Sequence, residues 1–366
     1  MIGKTSISLF IGIITLSASS AQEIDNYTLF LRQEIVSEMK ASEEGNLLAV
    51  GFSKSKKLNI YDAKTLKLIY SYSIPEEVPL KNGETNDKLT GELSELYFFK
   101  ENYFFAIDRS GYILHLNLIN EQVTWYETND SGNSDFKYDW KGLYLNETEI
   151  CIVNSKAKKQ WIINTRDGTV SPPEEFNDNP LIINKNLIYN IEMKVPEFIR
   201  FEARDFNSGK LLSDIIITDL NANDKYNFSA NVSDNNKYLL VNLYTSSSIY
   251  DLKTEERIFY KSKSGAYPPN AFLAEGVAAF GDVGNQFSIY DFLNDEFLGS
   301  VKHYSPVITK NREHLFVFRS MEVNDSSIGI LGSIPLDALI DSHGKNSVNL
   351  YKDLDNKTME ELRRMK

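Results

Sequence analysis

The sequence predicts an all-β fold, a single β-propeller, because one strand-turn-strand pattern recurs along it and its copies end in the same kind of residue. The pattern is clearest in residues 46–74. An apolar run at 47–50, a polar turn at 53–57 and a β-rich run at 58–61 lead to Asp62. Asp62 and Thr65 favour a tight turn into a third run at 66–74, so three antiparallel strands are expected.

The Asp or Asn that ends the second run is a marker for the repeats. The markers are Asp62, Asn117, Asn164, Asp205, Asp251 and Asp291. They are 55, 47, 41, 46 and 40 residues apart, and a four-stranded propeller blade occupies about 40 to 50 residues. A seventh copy at 315–331 lacks the marker. Seven blades are therefore predicted, with six as the alternative if the last copy is only a cap.

Closure of the ring requires a partner for the edge of the last blade, since an open strand edge invites aggregation. Residues 27–32 precede the first complete repeat and are apolar enough to be the outer strand of that blade. The sequence thus predicts one propeller domain over residues 22–345, closed by an N-terminal strand. A tail over residues 346–366 follows, with a short helix indicated by the capping box of Thr358 and Glu361.

The first 21 residues have the layout of a secretory signal peptide. Lys4 precedes an apolar segment at 7–16, and small residues at 17–21 suggest cleavage after Ala21. A membrane anchor is the alternative, but the apolar segment is shorter than the roughly 20 residues that a spanning helix needs. We therefore expect a secreted or periplasmic protein with no membrane span.

Charge and cysteine content exclude several classes of function. With 39 Lys and Arg against 51 Asp and Glu, the net charge is -12, and no basic cluster suits nucleic acid. Cys151 is the only cysteine, so an internal disulfide or a multi-cysteine zinc site is impossible. Its apolar surroundings favour a buried, unreactive thiol.

Two strand ends carry a resemblance to a known family. Residues 58–65 read LNIYDAKT and residues 248–254 read SIYDLKT. Both are similar to the V-x-V-I-D-x-x-T strand end of YVTN (YncE-type) secreted bacterial repeats, within the WD40-like propellers. The Gly-His and Trp-Asp pairs of true WD40 repeats are absent from the sequence. The resemblance implies a propeller fold more firmly than an activity.

No local motif for catalysis stands out. The four histidines lack zincin spacing, and neither a Gly-x-Ser-x-Gly elbow nor a Walker loop occurs. Propeller hydrolases assemble calcium or zinc sites from Glu, Asn and Asp of several blades, so the sequence leaves the presence of a metal unknown.

Turn residues are the remaining candidates for a binding site, because loops on a rigid scaffold carry most binding residues. The turns inside the hairpins lie on one face of the ring, which makes four residues candidates for contact with a ligand: Asp108, Arg109, Lys156 and Asp282. The alternative for each is an ordinary solvated turn.

The sequence therefore favours a non-catalytic, monomeric binding protein without a cofactor. Its expected ligand is a protein, a peptide or a glycan. The alternative is a propeller enzyme, such as a metal-dependent hydrolase, lactonase or lyase, with calcium or zinc in a carboxylate-lined channel.

Overall fold

The computed structural model describes most of the chain from residue 22 to residue 335. The described residues are 22–25, 28–32, 34–42, 44–78, 89–99, 102–128, 140–146, 148–154, 157–166, 169–175, 180–184, 187–205, 208–225, 228–233, 235–262, 272–274, 276–282, 286–302, 305–308, 314–323, 326–335, 360 and 364. The predicted signal peptide lies outside them, as does the tail apart from Glu360 and Arg364.

These residues form 29 β-strands and one short 3-10 helix (Ala222–Lys225). The first strands are β1 (Gln22–Asp25) and β2 (Thr28–Arg32). Sheet I contains β3 (Val36–Ala41), β4 (Leu47–Phe52), β5 (Lys57–Asp62) and β6 (Leu68–Ser73). Sheet II contains β7 (Leu93–Phe99), β8 (Tyr103–Asp108), β9 (Ile113–Asn117) and β10 (Gln122–Tyr126). Sheet III contains β11 (Trp140–Asn146), β12 (Glu149–Asn154), β13 (Lys159–Asn164) and β14 (Glu174–Glu175).

The second half of the chain repeats this arrangement. Sheet IV contains β15 (Pro180–Asn184), β16 (Leu187–Lys194), β17 (Phe198–Asp205) and β18 (Leu211–Ile217). Sheet V contains β19 (Ser229–Val232), β20 (Tyr238–Asn242), β21 (Ser246–Asp251) and β22 (Arg257–Ser262). Sheet VI contains β23 (Phe272–Ala274), β24 (Val277–Asp282), β25 (Gln286–Asp291) and β26 (Glu296–Lys302). The last strands are β27 (Ser305–Ile308), β28 (His314–Val323) and β29 (Ser326–Pro335).

Sheets I to VI are antiparallel and four-stranded, with their strands in chain order. Sheet VII has five strands in the order β1-β2-β29-β28-β27, so it joins the two ends of the described chain. Thr28 of β2 lies opposite Gly332 of β29, and Arg32 lies opposite Ile328. The described part of the chain is thus almost entirely β-structure in seven sheets, as the all-β prediction requires.

Neighbouring sheets pack face to face, which explains why the middle strands read as continuous apolar runs. In sheet I, Leu58 and Ile60 pack against sheet II, whereas Val50 and Tyr61 pack against Leu331 of sheet VII. Comparable apolar cores join sheets II and III, IV and V, and V and VI. The first strands of consecutive sheets also contact one another from β3 through β7, β11 and β15 to β19, and β27 contacts both β23 and β3.

The marker residues fix the turn between the third and fourth strands of their sheets. In all six, a side-chain oxygen accepts a hydrogen bond from a backbone amide two or three residues later. The shortest such bonds are Asp62 to Thr65 (2.7 Å), Asn117 to Ile119 (2.9 Å), Asn164 to Arg166 (2.9 Å), Asp205 to Ser208 (2.8 Å), Asp251 to Lys253 (2.8 Å) and Asp291 to Leu293 (3.0 Å). The repeat marker is therefore a turn residue by its chemistry.

The residue four positions after the marker adopts a left-handed backbone in five of these turns. The five are Leu66 (φ 53°), Glu121 (φ 56°), Gly209 (φ 66°), Glu255 (φ 62°) and Asp295 (φ 52°). A type I turn followed by one left-handed residue matches the twist of an antiparallel hairpin. Only Gly209 adopts this conformation without a steric cost.

Candidate functional site

One face of the molecule combines two kinds of loop, and it is called the connection face here. Because the strands of each sheet alternate in direction, the turn between the second and third strands lies at the same end as the connections between sheets. The turns between the first two and the last two strands lie on the opposite face. Of the four candidate ligand residues from the sequence, Asp108, Arg109 and Asp282 lie on the connection face.

Asp108, the first of these candidates, is fully buried at the end of β8. Its Oδ1 accepts hydrogen bonds from the amides of Thr90 (3.2 Å) and Ser110 (2.9 Å) and from the Ser110 hydroxyl. Its Oδ2 accepts from the Gly91 amide (2.9 Å) and the Thr90 hydroxyl (2.8 Å). The carboxylate thus ties the connection between sheets I and II to the turn between β8 and β9.

Sheet I contributes to the same junction through Lys56. Gly91 has a φ of 73°, and a Cβ placed there would lie 2.5 Å from Cδ of Lys56. The lysine stem therefore lies directly across Gly91, and only glycine leaves room for it. Two neighbouring sheets are locked together at this point of the connection face.

Arg109, the second candidate, also contacts the connection into sheet II. Its guanidinium pairs with the Glu92 carboxylate, and its amide donates to the Glu92 carbonyl at 3.0 Å. The Arg109 side chain is 31% exposed and the Glu92 side chain 37% exposed, so the pair lies at the surface. This pair is open to a ligand, whereas Asp108 lies beneath it.

The other two candidates are less fully described. Lys156 lies outside the described residues, and Asp282 ends β24 at the position that Asp108 holds in β8. Asn154 and Asn242 hold that position in sheets III and V, and both are fully buried. Asn154 accepts from the Ala157 amide (2.9 Å) and Asn242 from the Ser247 hydroxyl (2.7 Å). A ligand-binding role for the four candidates remains a prediction.

Sequence reasoning did not single out Asp224, which organises sheet V as Asp108 organises sheet II. It is 1% exposed and lies in the short helix on the connection from sheet IV. Its Oδ1 accepts from the Tyr244 amide (2.7 Å), and its Oδ2 accepts from the Asn221 amide (2.6 Å). The signal in the sequence was the stretch at 223–236, which is rich in Asp and Asn, because such side chains can cap nearby backbone amides.

A third acidic residue, Glu34, occupies the connection into sheet I. It is 5% exposed, and burial raises the pKa of its carboxyl against the opposing effects of Ser55, Lys57 and Lys54. Ser55 and Lys54 belong to the turn between β4 and β5. In sheets I, II and V, therefore, an acidic side chain joins the incoming connection to the turn on the same face. It belongs to the connection in sheets I and V and to the end of β8 in sheet II.

An open cavity of about 250 Å³ lies between sheets IV and V. One wall is the end of β18 with the connection after it, and the other is formed by β21, β22 and the turn before β21. Its lining residues are Ile217, Asp219, Leu220, Asn221, Leu243, Thr245, Ser246, Ser248, Tyr250, Arg257 and Tyr260. Asp224 fixes both walls, because its two partners belong to the connection and to the turn.

Two carboxylates approach each other on the first strands of sheets I and II. Burial, followed by the charge of Glu95, raises the pKa of Glu38 to about 7. The Tyr97 hydroxyl donates to Glu95 at 2.8 Å. Among the described residues, no group of three or more His, Cys, Asp or Glu side chains is placed to hold a metal ion.

Cys151 and His115 are packed into the sheets. Burial raises the pKa of the Cys151 thiol to about 12 and lowers the pKa of His115 to about 4. The His115 ring stacks on Phe105 with 4.5 Å between the centroids. Among the described residues, no helix is long and apolar enough to span a bilayer.

No protein-family model matches the chain, and the curated proteins give no match. Hsv2 of Kluyveromyces lactis has a TM-score of 0.52 and 9% identity, covering 83% of this chain and 99% of that chain. The WD40 domain of Neurospora crassa Pan2 has a TM-score of 0.50 and 11% identity, covering 82% and 89%. Likeness at such identity shows fold alone, and that fold is a WD40-like β-propeller. The finer resemblance to YVTN repeats remains a prediction.

Proposed function

We propose that this chain is a non-catalytic, monomeric propeller that works outside the cytoplasm and binds a protein, peptide or glycan across its connection face. The observation that carries the proposal is the anchoring of that face by Asp108 and Asp224. Each carboxylate bonds a sheet-to-sheet connection and a turn at once. Loops held in one conformation lose little entropy when a ligand binds, which raises affinity.

Charge changes on the two faces test this proposal. Lys54→Glu with Asn223→Arg alters exposed residues of the connection face, and Lys64→Glu with Asn120→Arg makes the same substitutions on the opposite face. The immobilised protein is incubated with an extracytoplasmic extract of its source. We expect the first variant to lose at least one specifically retained protein or glycan that the second keeps. Equal retention by both variants, or no retained partner, would contradict the proposal.

The extracytoplasmic location rests on the charged, apolar and small-residue pattern of residues 1–21. Expression of the full chain in a bacterial host, followed by fractionation and N-terminal sequencing, tests it. The expected result is a periplasmic or secreted protein that begins at Gln22. A full-length chain retained in the cytoplasm would contradict this part of the proposal.

We also propose that the seven sheets close into one ring of seven blades, with β2 as the fourth strand of the last blade and β1 outside it. The support is the pairing of β2 with β29 and the contact of β27 with β3. Deletion of residues 22–34 would expose the edge of β29, so the melting temperature should drop sharply. An unchanged melting temperature would exclude closure by this strand.

One observation favours the enzyme alternative, namely the pair of Glu38 and Glu95 where β3 meets β7. Such carboxylates suit a calcium or zinc site in a channel. Elemental analysis of the purified protein after dialysis distinguishes the two functions. Stoichiometric calcium or zinc would favour the metal-dependent enzyme over the binding protein, and Glu38→Gln should then lower the metal content.

A further inference from the structure

A small residue of the third strand, Ser248, lines the cavity between sheets IV and V. Three residues before the marker, the third strand presents Leu114 in sheet II and Trp161 in sheet III, both 0 to 1% exposed in apolar cores. Sheet V has Ser248 there. A serine leaves unfilled the volume that a large apolar side chain takes in sheets II and III, whereas sheets I and IV have the polar residues Asn59 and Glu202 at this position.

Sheet VI also carries a serine at this position, Ser288, but the preceding sheet fills the space. Phe259 of β22 stacks on Phe280 with 5.4 Å between the centroids, and the Lys261 ammonium lies 4.7 Å from the centroid of the Tyr290 ring. At the interface of sheets IV and V, β18 ends in Ile217 at the cavity wall. Ser248 therefore faces an opening between sheets IV and V.

The lining of the cavity is polar and its charges balance. Ser246, Ser248 and Tyr250 alternate along one face of β21, and Ser248 lies opposite Tyr260 in the sheet. Burial raises the pKa of the Tyr250 hydroxyl, hydrogen bonding with Ser248 and the charge and hydrogen bonding of Arg257 lower it, and the negative charge of Asp219 raises it. Because the lining contains one arginine and one aspartate, its net charge is zero, and a charged ligand is not favoured over a neutral one.

These groups match a ligand that is itself rich in hydroxyls. Hydroxyl side chains both donate and accept hydrogen bonds, as sugar hydroxyls do, while guanidinium groups only donate and carboxylates only accept. Tyr260 is 52% exposed, and Cζ of the Arg257 guanidinium lies 5.0 Å from the centroid of its ring. An exposed aromatic beside polar groups offers a sugar ring an apolar surface.

The size of the cavity sets the size of the ligand. At about 250 Å³ it lies just below the roughly 300 to 1,000 Å³ of pockets for drug-sized molecules, which suits a single ring. Asp224 holds the connection at Asn221 and the turn at Tyr244 in place before any ligand arrives. Walls held in this way lose little entropy when a ligand binds.

We infer that the cavity between sheets IV and V binds one neutral sugar ring of a glycan. This rests on the proposed function, since it names the ligand class and the place on the connection face. Arg257 and Asp219 bond the ring hydroxyls from two sides, the serine and threonine hydroxyls line the floor, and Tyr260 packs against the ring.

The test is binding of simple sugars to the full chain. The methyl glycosides of glucose, galactose, mannose and N-acetylglucosamine are titrated by calorimetry and saturation-transfer NMR, with glucuronate and glucosamine as charged comparisons. We expect at least one neutral glycoside to bind more tightly than both charged sugars. Tyr260→Ala should weaken it by about tenfold through the lost ring contact. Ser248→Leu should abolish it by filling the cavity.

Ile258→Ala is the matched control, because Ile258 is exposed on the same strand as Tyr260 but does not line the cavity. It should leave affinity unchanged. The inference is overturned if no neutral glycoside binds, if glucuronate binds best, or if Tyr260→Ala and Ser248→Leu bind like the wild type. The proposed function does not depend on these results. It is decided by the comparison of the Lys54→Glu, Asn223→Arg variant with the Lys64→Glu, Asn120→Arg variant.

Discussion

Replacement of Asp108 by alanine should destabilise the protein by about 4 kcal/mol through its hydrogen bonds. The carboxylate accepts from the buried amides of Gly91 and Ser110 and from the amide and hydroxyl of Thr90. A buried amide left without an acceptor costs about 1 to 3 kcal/mol, and two such amides would remain. The hydroxyls can rotate toward other acceptors, so they add little.

Urea unfolding followed by tryptophan fluorescence measures this loss, since Trp125 and Trp161 are buried in sheets II and III. The matched variant is Asp62→Ala, which removes a carboxylate from an exposed turn on the opposite face. Asp62→Ala should lower the free energy of unfolding by about 1 kcal/mol, as the loss of a helix-capping side chain does, because in both cases a side-chain acceptor for a backbone amide is removed. If Asp108→Ala costs no more than Asp62→Ala, the anchoring of the connection face by Asp108 is refuted.

Two further predictions concern turn geometry and pH. Gly209→Ala should destabilise the protein by about 1 kcal/mol through the φ of 66° alone, since no atom lies within 4 Å of the added carbon. Glu121→Gly, at the equivalent turn position with a φ of 56°, should not destabilise the protein. Equal effects of the two substitutions in urea unfolding would contradict this prediction. The pKa of Glu38 is raised from 4.5 to about 7, so the folded protein favours the protonated carboxyl. The contribution of Glu38 to stability is therefore greatest below pH 4.5 and is lost as the pH rises to 7. Glu38→Gln should therefore be more stable than the wild type by about 2 to 3 kcal/mol at pH 8 and equal to it near pH 4.5; a gap independent of pH would exclude this.

The repeat pattern was predictable because its cause is local. Each marker, from Asp62 to Asp291, bonds amides two or three residues away, so the sequence spacing carries the whole interaction. The hairpins on either side of these turns follow from apolar runs of strand length. Local chemistry of this kind repeats in sheets I to VI and can be recognised in a single sequence.

The arrangement of the connection face was not predictable, because its partners are distant in sequence. Asp108 bonds residues 17 and 18 positions earlier, and its burial beside the turn follows from those distant partners. The cavity depends on what Ser248 faces across two sheets, and no local pattern records that. The signal that was available is a polar residue directly after a buried run, as at Asp108, Asn154 and Asn242.

The pairing of β2 with β29 also sets an order of events during biosynthesis. Thr28 leaves the ribosome about 300 residues before its partner Gly332, so sheets I to VI can form while β2 still waits for a neighbour. Bringing such distant segments together costs only slightly more entropy than closing a shorter loop. The unpaired early strand is nevertheless an exposed edge throughout synthesis, and a chaperone that covers residues 28–32 would protect the chain until its last hairpin is made.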